Sequence, residues 1–344
     1  MGVTNYEQLV SVNLDFIGRK FNMRKKVYII FIAILLSGIL SCKGQQNYEV
    51  KIDKEQTYRI LKDLASDDMK GRNALIPAAI DKAANYIESE FKAIGLKPYM
   101  QNDSFYQEFE RKHKGEVHQF KNVIGILPGK EKANEFVIFS AHYDHIGILP
   151  EVNQDSIANG ADDNASGVTA LIQLARHYAK RADNARTIIF VAFTAEEIGL
   201  YGSQYFTDQI DAKQVIAMFN LEMIGKQSKF GPNTAYLTGF RYSDLGKIME
   251  RNLKQTIYTI HPDPYPTQQL FYRSDNMSLA KKGVPAHTIS TVQINKDNSY
   301  HTVSDEVELL DVENIISVAK AIAIGASTVI SGEDTPSRIK ANRR

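Results

Sequence analysis

Three uninterrupted apolar runs divide the middle of the chain. Residues 135–141 read EFVIFSA, residues 187–193 read TIIFVAF and residues 215–221 read VIAMFNL. Each run is rich in β-branched and aromatic residues and does not alternate between apolar and polar positions, which is typical of a strand buried on both faces of a sheet. The three runs therefore predict central strands of a mostly parallel sheet.

Helical periodicity fills the segments between and before these runs. Apolar residues recur every three or four positions in residues 166–181, and again in residues 78–94, where Pro77 precedes the pattern and Gly95 ends it. Alternating strands and helices predict an α/β fold with a doubly wound, mostly parallel mixed sheet flanked by helices. We expect one catalytic domain over residues 52–331.

Acidic or histidine residues follow each predicted strand. In open α/β sheets, ligands bind beyond the carboxyl ends of the strands, so these side chains are expected to share one site. Two imidazoles and three carboxylates suit a pair of Zn²⁺ ions, with a further acid left to handle protons. The candidate residues are His142, Asp144, Asp162, Glu196, Glu197, Glu222 and His301.

The N-terminal part of the chain has the pattern of a targeting segment. Three basic residues, 24–26, precede an apolar stretch at 27–40 that is short for a transmembrane helix and typical of a secretory signal. We therefore expect a signal peptide at residues 1–41, with Met23 as an alternative start.

Cys42 is the only cysteine and ends the sequence Ile-Leu-Ser-Cys. This resembles the lipobox of bacterial lipoproteins, in which the cysteine carries the lipids; the alternative is an ordinary signal peptide with a chance cysteine. We expect a lipid-anchored tether at 42–51, a polar tail at 332–344, and a location in the bacterial cell envelope facing the periplasm or the exterior. The lipid anchor would be the only contact with the membrane.

The net charge and its distribution argue against nucleic acid as a partner. The 344 residues are 43% hydrophobic and carry a formal net charge of +1, without a clustered basic stripe. Nucleic acid is therefore not an expected partner.

Five motifs occur in an order that resembles a known family. The stretches SAHYDHIG, NGADDNASGV, FTAEEIGLYGSQ, NLEMIGK and SYHTVSD resemble the secreted two-zinc aminopeptidases, a family that includes glutamate carboxypeptidases and glutaminyl cyclases. The resemblance covers roughly residues 58–320, including the upstream segment LASDDMKGR. It implies a zinc-dependent exopeptidase that acts on peptides, with two Zn²⁺ per chain.

The resemblance also implies a role for each candidate residue. Glu196 would be the general base, and Tyr300 would donate a hydrogen bond to the tetrahedral oxyanion, although Tyr300 as a packed aromatic residue is an equal alternative. The implied metal ligands are Asp162 as the bridge, His142 and Glu222 for one ion, and Glu197 and His301 for the other.

Supporting roles follow for neighbouring residues. Asp144 is expected to accept the second ring N–H of His142, and Asp305 to act similarly near His301. The resemblance implies a cis peptide between Asp162 and Asp163, and Asp163 is expected to support the metal ligands without binding the metal. Ser166 is expected to cap the next helix. For His145, packing or indirect support is favoured over metal ligation.

Two positions depart from the family pattern. Glu222 stands where Asp is more frequent, and its extra methylene changes the reach of the carboxylate towards the metal. Asn276 stands where many relatives have histidine, outside the expected metal ligands, so we expect it to affect loop packing or substrate contacts.

Three functions remain after these arguments. The leading interpretation is an aminopeptidase; carboxypeptidase activity and the preferred substrate residue stay open. A glutaminyl cyclase typically uses one zinc and a tryptophan-lined pocket, whereas this chain has no tryptophan. A non-catalytic envelope lipoprotein would be expected to have lost a ligand or the base.

Overall fold

A nine-stranded mixed sheet forms the centre of the part of the chain that a computed structural model describes, residues 49–100 and 102–340. The predicted signal peptide, Cys42, most of the predicted tether and the last four residues lie outside these described ranges. From Val50 onwards the described residues belong to one compact unit.

Eleven strands occur within the described ranges. They are β1 (Lys97–Pro98), β2 (Tyr106–His113), β3 (Glu116–Leu127), β4 (Lys132–His142), β5 (Gly147–Val152), β6 (Asp155–Ala158), β7 (Arg186–Phe193), β8 (Val215–Leu221), β9 (Thr234–Leu237), β10 (Thr259–Pro262) and β11 (Ala286–Ser290). The α-helices are α1 (Lys54–Leu64), α2 (Pro77–Ile94), α3 (Gly167–Arg181), α4 (Tyr201–Gln209), α5 (Leu245–Leu253), α6 (Asn276–Ala280), α7 (Val312–Gly325) and α8 (Ser327–Ile330).

Strand β4 lies at the topological switch point of the sheet, with β7 and β3 on one side and β8 and β11 on the other. The order is β1-β3-β7-β4-β8-β11-β9-β10, with β2 paired to β3, and the separate pair β5-β6 forms a small second sheet. β4 runs parallel to both β7 and β8, which lie on its two sides. Such a switch point leaves a crevice beyond the carboxyl ends of the strands. The predicted doubly wound fold and its three buried strands are confirmed.

The core packs around Phe139 in the middle of β4. Its ring stacks with Tyr178 of α3, Phe190 of β7 and Phe219 of β8, at centroid separations of 5.5, 5.8 and 5.3 Å. The side chain is fully buried. One aromatic cluster therefore joins the three central strands to the helix that covers them.

Helix ends agree with the sequence in α2 and differ in α3. Pro77 starts α2, and Gly95 ends it with a left-handed φ of 85°. Ser166 was expected to cap α3, but this prediction is wrong, because its hydroxyl donates to the carbonyl of Asp162. Asn164 supplies the acceptor instead, through a 3.1 Å bond from the N–H of Gly167.

The predicted polar tail is held against the domain as far as residue 340. Buried Arg186 donates to the carbonyls of Val329 and Asp334 and to the hydroxyl of Thr335. The N–H of Ile339 donates to the carbonyl of Gly283. Five of residues 332–340 are exposed, and these hydrogen bonds attach the polar segment to the domain at Asp334, Thr335 and Ile339.

None of the helices within the described ranges is long and apolar enough to cross a membrane.

Candidate metal centre

The predicted site residues meet beyond the carboxyl ends of the three central strands. His142 is the last residue of β4, Glu196 and Glu197 follow β7 by three and four positions, and Glu222 follows β8 directly. His301 comes from the loop between β11 and α7. The sheet topology thus brings together residues that are far apart in sequence, as the strand pattern predicts.

Asp163 lies at the middle of this cluster. Its Oδ1 is 3.3 Å from His142 Nε2, and its Oδ2 is 3.1 Å from His301 Nε2. On the first side, Glu222 Oε1 lies 3.0 Å from His142 Nε2; on the second, Glu197 Oε2 lies 3.0 Å from His301 Nε2. One carboxylate therefore faces two groups of potential ligands, one through each oxygen.

The structure places Asp162 outside this cluster, in contrast to its expected bridging role. Its Oδ1 accepts the N–H of Gly225 at 2.7 Å, and its Oδ2 is 3.8 Å from Lys226 Nζ. The cis peptide likewise joins Asp163 to Asn164, not Asp162 to Asp163. The turn directs the second of the two acids towards the histidines, so Asp163 takes the position that was expected for Asp162.

His145 lies inside the cluster, although packing or indirect support was the role expected for it. The side chain is 1% exposed, and its Nδ1 is 3.0 Å from Glu197 Oε1 and 3.7 Å from Asp163 Oδ2. This contact leaves Glu197 Oε2 facing His301. Gly160 permits the arrangement, since a Cβ there would lie 2.5 Å from the His145 ring. The spacing of three residues after His142 was the available signal.

The orientation of His142 is fixed by a main-chain group. Its Nδ1 is 3.0 Å from the carbonyl oxygen of Asp144, whereas the nearest carboxylate oxygen of Asp144 is 3.8 Å away. That carboxylate accepts the N–H groups of Glu196 and Glu197. The carbonyl oxygen of Asp144, and not its carboxylate, therefore accepts the second ring N–H of His142. The carboxylate instead holds the backbone of Glu196 and Glu197 in place.

Asp305 holds the Asp162-Asp163 turn. Its carboxylate accepts the N–H of Asp162 at 3.0 and 3.1 Å and that of Asp163 at 2.9 Å. The expected support of His301 by Asp305 is thus replaced by support of the backbone that carries Asp163.

The two adjacent glutamates have opposite electrostatic environments. Burial, together with the neighbouring acids Glu222 and Asp275, raises the pKa of Glu196 well above its usual value against the opposing effect of His142. Burial and Asp163 would also raise the pKa of Glu197, but the hydrogen bond with His145 and the close imidazole of His301 lower it below its usual value. A pair of acids with separated pKa values suits one proton carrier and one permanent anion.

The histidines are held by the acids. Burial alone would lower the pKa of His142, but the carboxylates of Glu222 and Glu196 raise it well above its usual value. Burial would likewise lower the pKa of His301, but the close carboxylates of Asp163 and Glu197 raise it to about 10. Both shifts arise from the carboxylates that surround the two rings, and a site with this much negative charge favours a bound cation.

Three residues next to the acids have left-handed backbone conformations. The φ angles are 56° at Ala195, 47° at Met223 and 57° at His301. Such angles cost non-glycine residues about 1–3 kcal/mol each and are concentrated at functional sites. Here they turn the chain sharply beside Glu196 and Glu222, so that the carboxylates face the crevice.

A cavity of about 70 Å³ adjoins the cluster. The acids Asp163, Glu196, Glu197 and Glu222 line it together with apolar residues that include Met223, Leu270, Val292 and Ile294. Charged and apolar groups therefore meet in one small cavity, as in many ligand sites.

Tyr300 lies at the edge of the cavity. Its ring stacks on that of His301 at 3.9 Å, and its hydroxyl is 3.5 Å from Arg273 Nη2. Both expected roles stay open, since the ring is packed on His301 while Tyr300 and Arg273 both line the cavity.

The two departures from the family pattern have structural counterparts. Glu222 divides its oxygens, with Oε1 beside His142 and Oε2 accepting the hydroxyl of Ser274 at 2.8 Å. Asn276 is buried away from the cluster, where its amide donates to the carbonyl of Phe271 and accepts from Thr288. Asn276 therefore acts in loop packing.

The donor set fits zinc. Bonds of about 2.0–2.2 Å around a tetrahedral ion place adjacent ligand atoms roughly 3.4 Å apart, close to the 3.0 and 3.3 Å between His142 Nε2 and its two carboxylates. His301 Nε2 is buried and lies 3.0 and 3.1 Å from two carboxylate oxygens, yet makes no hydrogen bond of acceptable geometry. A ring nitrogen that points between two carboxylates without a hydrogen bond to either has the arrangement of a metal ligand. Nitrogen and oxygen donors of this kind are those that zinc accepts.

Arg72 supports the site without touching it, and sequence reasoning did not identify it. The side chain is 1% exposed and donates to the carbonyls of Leu64, Tyr143, Asn159 and Gly160 at 2.6–2.9 Å. Tyr143 precedes Asp144, and Gly160 precedes the turn with Asp163. One buried guanidinium therefore joins the two segments that carry His145 and Asp163. Arg72 is the last residue of the segment LASDDMKGR, whose resemblance to the family was the only indication of its importance in the sequence.

Comparison with known proteins gives a family and a fold. The profile of Peptidase family M28 matches residues 122–324. Aminopeptidase YwaD from Bacillus subtilis is 27% identical over 242 residues, which cover 64% of this chain and 47% of that protein. The chain spans about half the length of the curated relatives that it matches.

Solved structures share the architecture. A zinc aminopeptidase from Bacillus subtilis has a TM-score of 0.62 at 16% identity, covering 82% of this chain and 96% of that one. The glutaminyl cyclase from Porphyromonas gingivalis has a TM-score of 0.63 at 17% identity, covering 81% and 99%. At such identities the likeness establishes the fold.

Proposed function

Because the chain belongs to Peptidase family M28, we propose that it is a zinc-dependent aminopeptidase that removes residues from the N-terminus of peptides. The observation that carries the proposal is the position of Asp163 between two groups of ligands, with the proton-binding Glu196 beside them. Two Zn²⁺ per chain are proposed, since each oxygen of Asp163 faces a different histidine. The aminopeptidase relative adds support for the substrate class.

Each residue of the cluster has a role in holding the metal or moving a proton. His142 and Glu222 would hold one zinc, and His301 and Glu197 the other, with Asp163 shared between them. Bound zinc supplies Lewis acidity, which polarises the peptide carbonyl and makes water easier to deprotonate. His145 keeps Glu197 oriented, and the carboxylate of Asp144 fixes the backbone that bears both glutamates.

Glu196 performs the proton transfers. It takes a proton from the water that attacks the carbonyl carbon, and it gives that proton to the amine nitrogen when the carbon–nitrogen bond breaks. Burial and the neighbouring acids raise the pKa of Glu196, so that it holds an accepted proton more firmly than an exposed glutamate does. The hydroxyl of Tyr300, which lines the cavity, would donate a hydrogen bond to the oxyanion between these steps.

Paired variants of the glutamates test the division of roles. Glu196→Gln should retain zinc and lower turnover roughly 100-fold or more, the usual contribution of a positioned base. Glu197→Gln should lower the zinc content itself. Elemental analysis and hydrolysis of leucine p-nitroanilide measure the two effects, and equal zinc content with equal residual rates would contradict the assignment.

The cyclase and carboxypeptidase alternatives differ in their products. A glutaminyl cyclase releases ammonia from an N-terminal glutamine, and a carboxypeptidase accepts N-acetylated peptides. An aminopeptidase requires the free amino group. Release of leucine from free but not from N-acetylated peptides, without ammonia from glutaminyl peptides, supports the proposal; the opposite pattern replaces it.

A lipid anchor at Cys42 in a bacterial cell envelope is a separate proposal. It rests on the basic residues 24–26, the apolar stretch 27–40 and the single cysteine. Cys42→Ser should block processing or release the protein into the soluble fraction. Mass spectrometry that finds an unmodified N-terminus beyond Cys42 would instead favour a secreted form.

A further inference from the structure

Arg273 brings a positive charge to the catalytic cavity, which is otherwise acidic. Four acids line this cavity, and among the described residues of the lining Arg273 is the only one with a permanent positive charge. Three of these acids, Asp163, Glu197 and Glu222, contact histidines. Arg273 differs from them, because it forms no ion pair with any acid of the described ranges. Neither metal binding nor proton transfer uses this cation.

The main chain at Arg273 is fixed beside one of the proposed metal ligands. Its backbone N–H donates to the carbonyl of Leu270 at 3.1 Å, which closes the 3₁₀ turn that precedes it. The hydroxyl of the next residue, Ser274, donates to Glu222 Oε2 at 2.8 Å and accepts a bond from the amide of Asn220. The Arg273 side chain therefore starts from a defined position next to the Glu222 side of the metal centre.

The guanidinium of Arg273 lies beside Tyr300, on the His301 side of the centre. Its Nη2 is 3.5 Å from the hydroxyl of Tyr300, whose ring stacks on that of His301 at a centroid separation of 3.9 Å. Burial and the acids of the centre raise the pKa of the Tyr300 hydroxyl, whereas Arg273 opposes this shift. The hydroxyl is thus within electrostatic range of both the acids and the guanidinium. One aromatic side chain separates the guanidinium from a proposed zinc ligand.

Most donors of this guanidinium are available to a ligand. The group has five N–H donors, and the long contact with Tyr300 is its one side-chain hydrogen bond to a described residue. Arg273 is exposed, so a ligand can reach these donors. A planar guanidinium matches a carboxylate, to which it donates two parallel hydrogen bonds. The cation therefore has the chemistry to recognise a carboxylate close to the metal centre.

We propose that Arg273 binds a carboxylate group of the substrate, either the side chain of an acidic N-terminal residue or the terminal carboxylate of a dipeptide. The inference rests on the proposed function, which it extends to a substrate class. The free amino group of a peptide is a cation that the acids attract and Arg273 repels, so the guanidinium suits the opposite charge. An extended residue spans about 3.3–3.6 Å, so a carboxylate next to the cleaved bond is the one within reach.

Two pairs of substrates separate the two sources of the carboxylate. Leu-Leu and its C-terminal amide differ in the terminal carboxylate, and the p-nitroanilides of glutamate and glutamine differ in the side chain. In at least one pair, kcat/KM should be roughly tenfold higher for the acid, as a hydrogen bond between charged groups provides. Arg273→Met should remove this preference, and Arg273→Lys should keep part of it, since the charge remains. Arg241→Met, at an exposed arginine outside the cavity lining, is the matched control and should keep the full preference.

Calorimetric titration of the same four compounds gives a measurement that does not depend on turnover. In the Glu196→Gln background, the acid of the preferred pair should bind roughly tenfold more tightly, and adding Arg273→Met should equalise the two affinities. Equal affinities before this addition, or a preference that survives it, would overturn the inference. Hydrolysis without any carboxylate preference overturns the inference and leaves the proposed function in place. Carboxylate-dependent binding without hydrolysis by the wild type overturns the proposed function and leaves the carboxylate site in place.

Discussion

Replacing Arg72 tests whether one buried cation holds the metal-binding segments together. Arg72→Met keeps much of the side-chain volume and removes all donors, which leaves four carbonyls without their partner. Each hydrogen bond from a charged group contributes about 1.5–3 kcal/mol, but four bonds from one group are not additive. We expect a loss of about 3–5 kcal/mol in the free energy of unfolding, the usual cost of breaking a buried charged arrangement.

Urea unfolding of the metal-free protein measures this loss. With a slope of about 3 kcal/mol per M, the midpoint should fall by roughly 1 M or more. Arg72→Lys should lose less, since its ammonium has three donors and keeps the charge. Arg241→Met, an exposed arginine, is the matched control. A midpoint for Arg72→Met within about 0.3 M of the wild type would refute the reasoning.

Three further predictions concern the metal bridge, the core and acid stability. Asp163→Asn should reduce the zinc content by at least one ion per chain, whereas Asp162→Asn should retain it; elemental analysis giving the reverse order would restore Asp162 as the bridge. Phe139→Ala should cost about 3–5 kcal/mol in urea unfolding, because it removes the ring at the centre of the core. Burial lowers the pKa of His287 to about 4, below the 6.5 of an unfolded chain, so the unfolded state binds more protons between these values and stability falls as pH falls through them. Between pH 7 and pH 4, protonation of His287 should lower the free energy of unfolding of the wild type by about 3 kcal/mol. The variant His287→Asn should lack this contribution, and urea unfolding midpoints at the two pH values measure the difference.

The sequence pattern predicted the parts of the site that depend on regular structure. Buried strands are recognisable from uninterrupted apolar runs, and the residues just after them must lie at one edge of a parallel sheet. His142, Glu197 and Glu222 meet for this reason. His301 was found through its motif alone, since no periodic pattern precedes it.

The errors occur where local backbone geometry selects between neighbours. Asp162 and Asp163 are adjacent acids in a turn without periodicity, and sequence cannot show which carboxylate faces the histidines. The φ and ψ of Asp163, −108° and 89°, are not helical and make this choice. Arg72 was missed for a different reason: its partners are carbonyl oxygens, which every residue has, so no complementary side chain marks it in the sequence.

The spacing of the ligands along the chain has a consequence for biosynthesis. His142 and His301 are 301 − 142 = 159 positions apart, and both face Asp163. A growing chain that ends before residue 301 therefore has only part of the donor set, and zinc that binds the finished site stabilises the complete fold, by about 2.7 kcal/mol at a concentration 100 times the dissociation constant. Contacts over such separations also form late in folding, because long loops must close first. Zinc would then bind after synthesis is complete, and only to molecules whose sheet has already formed.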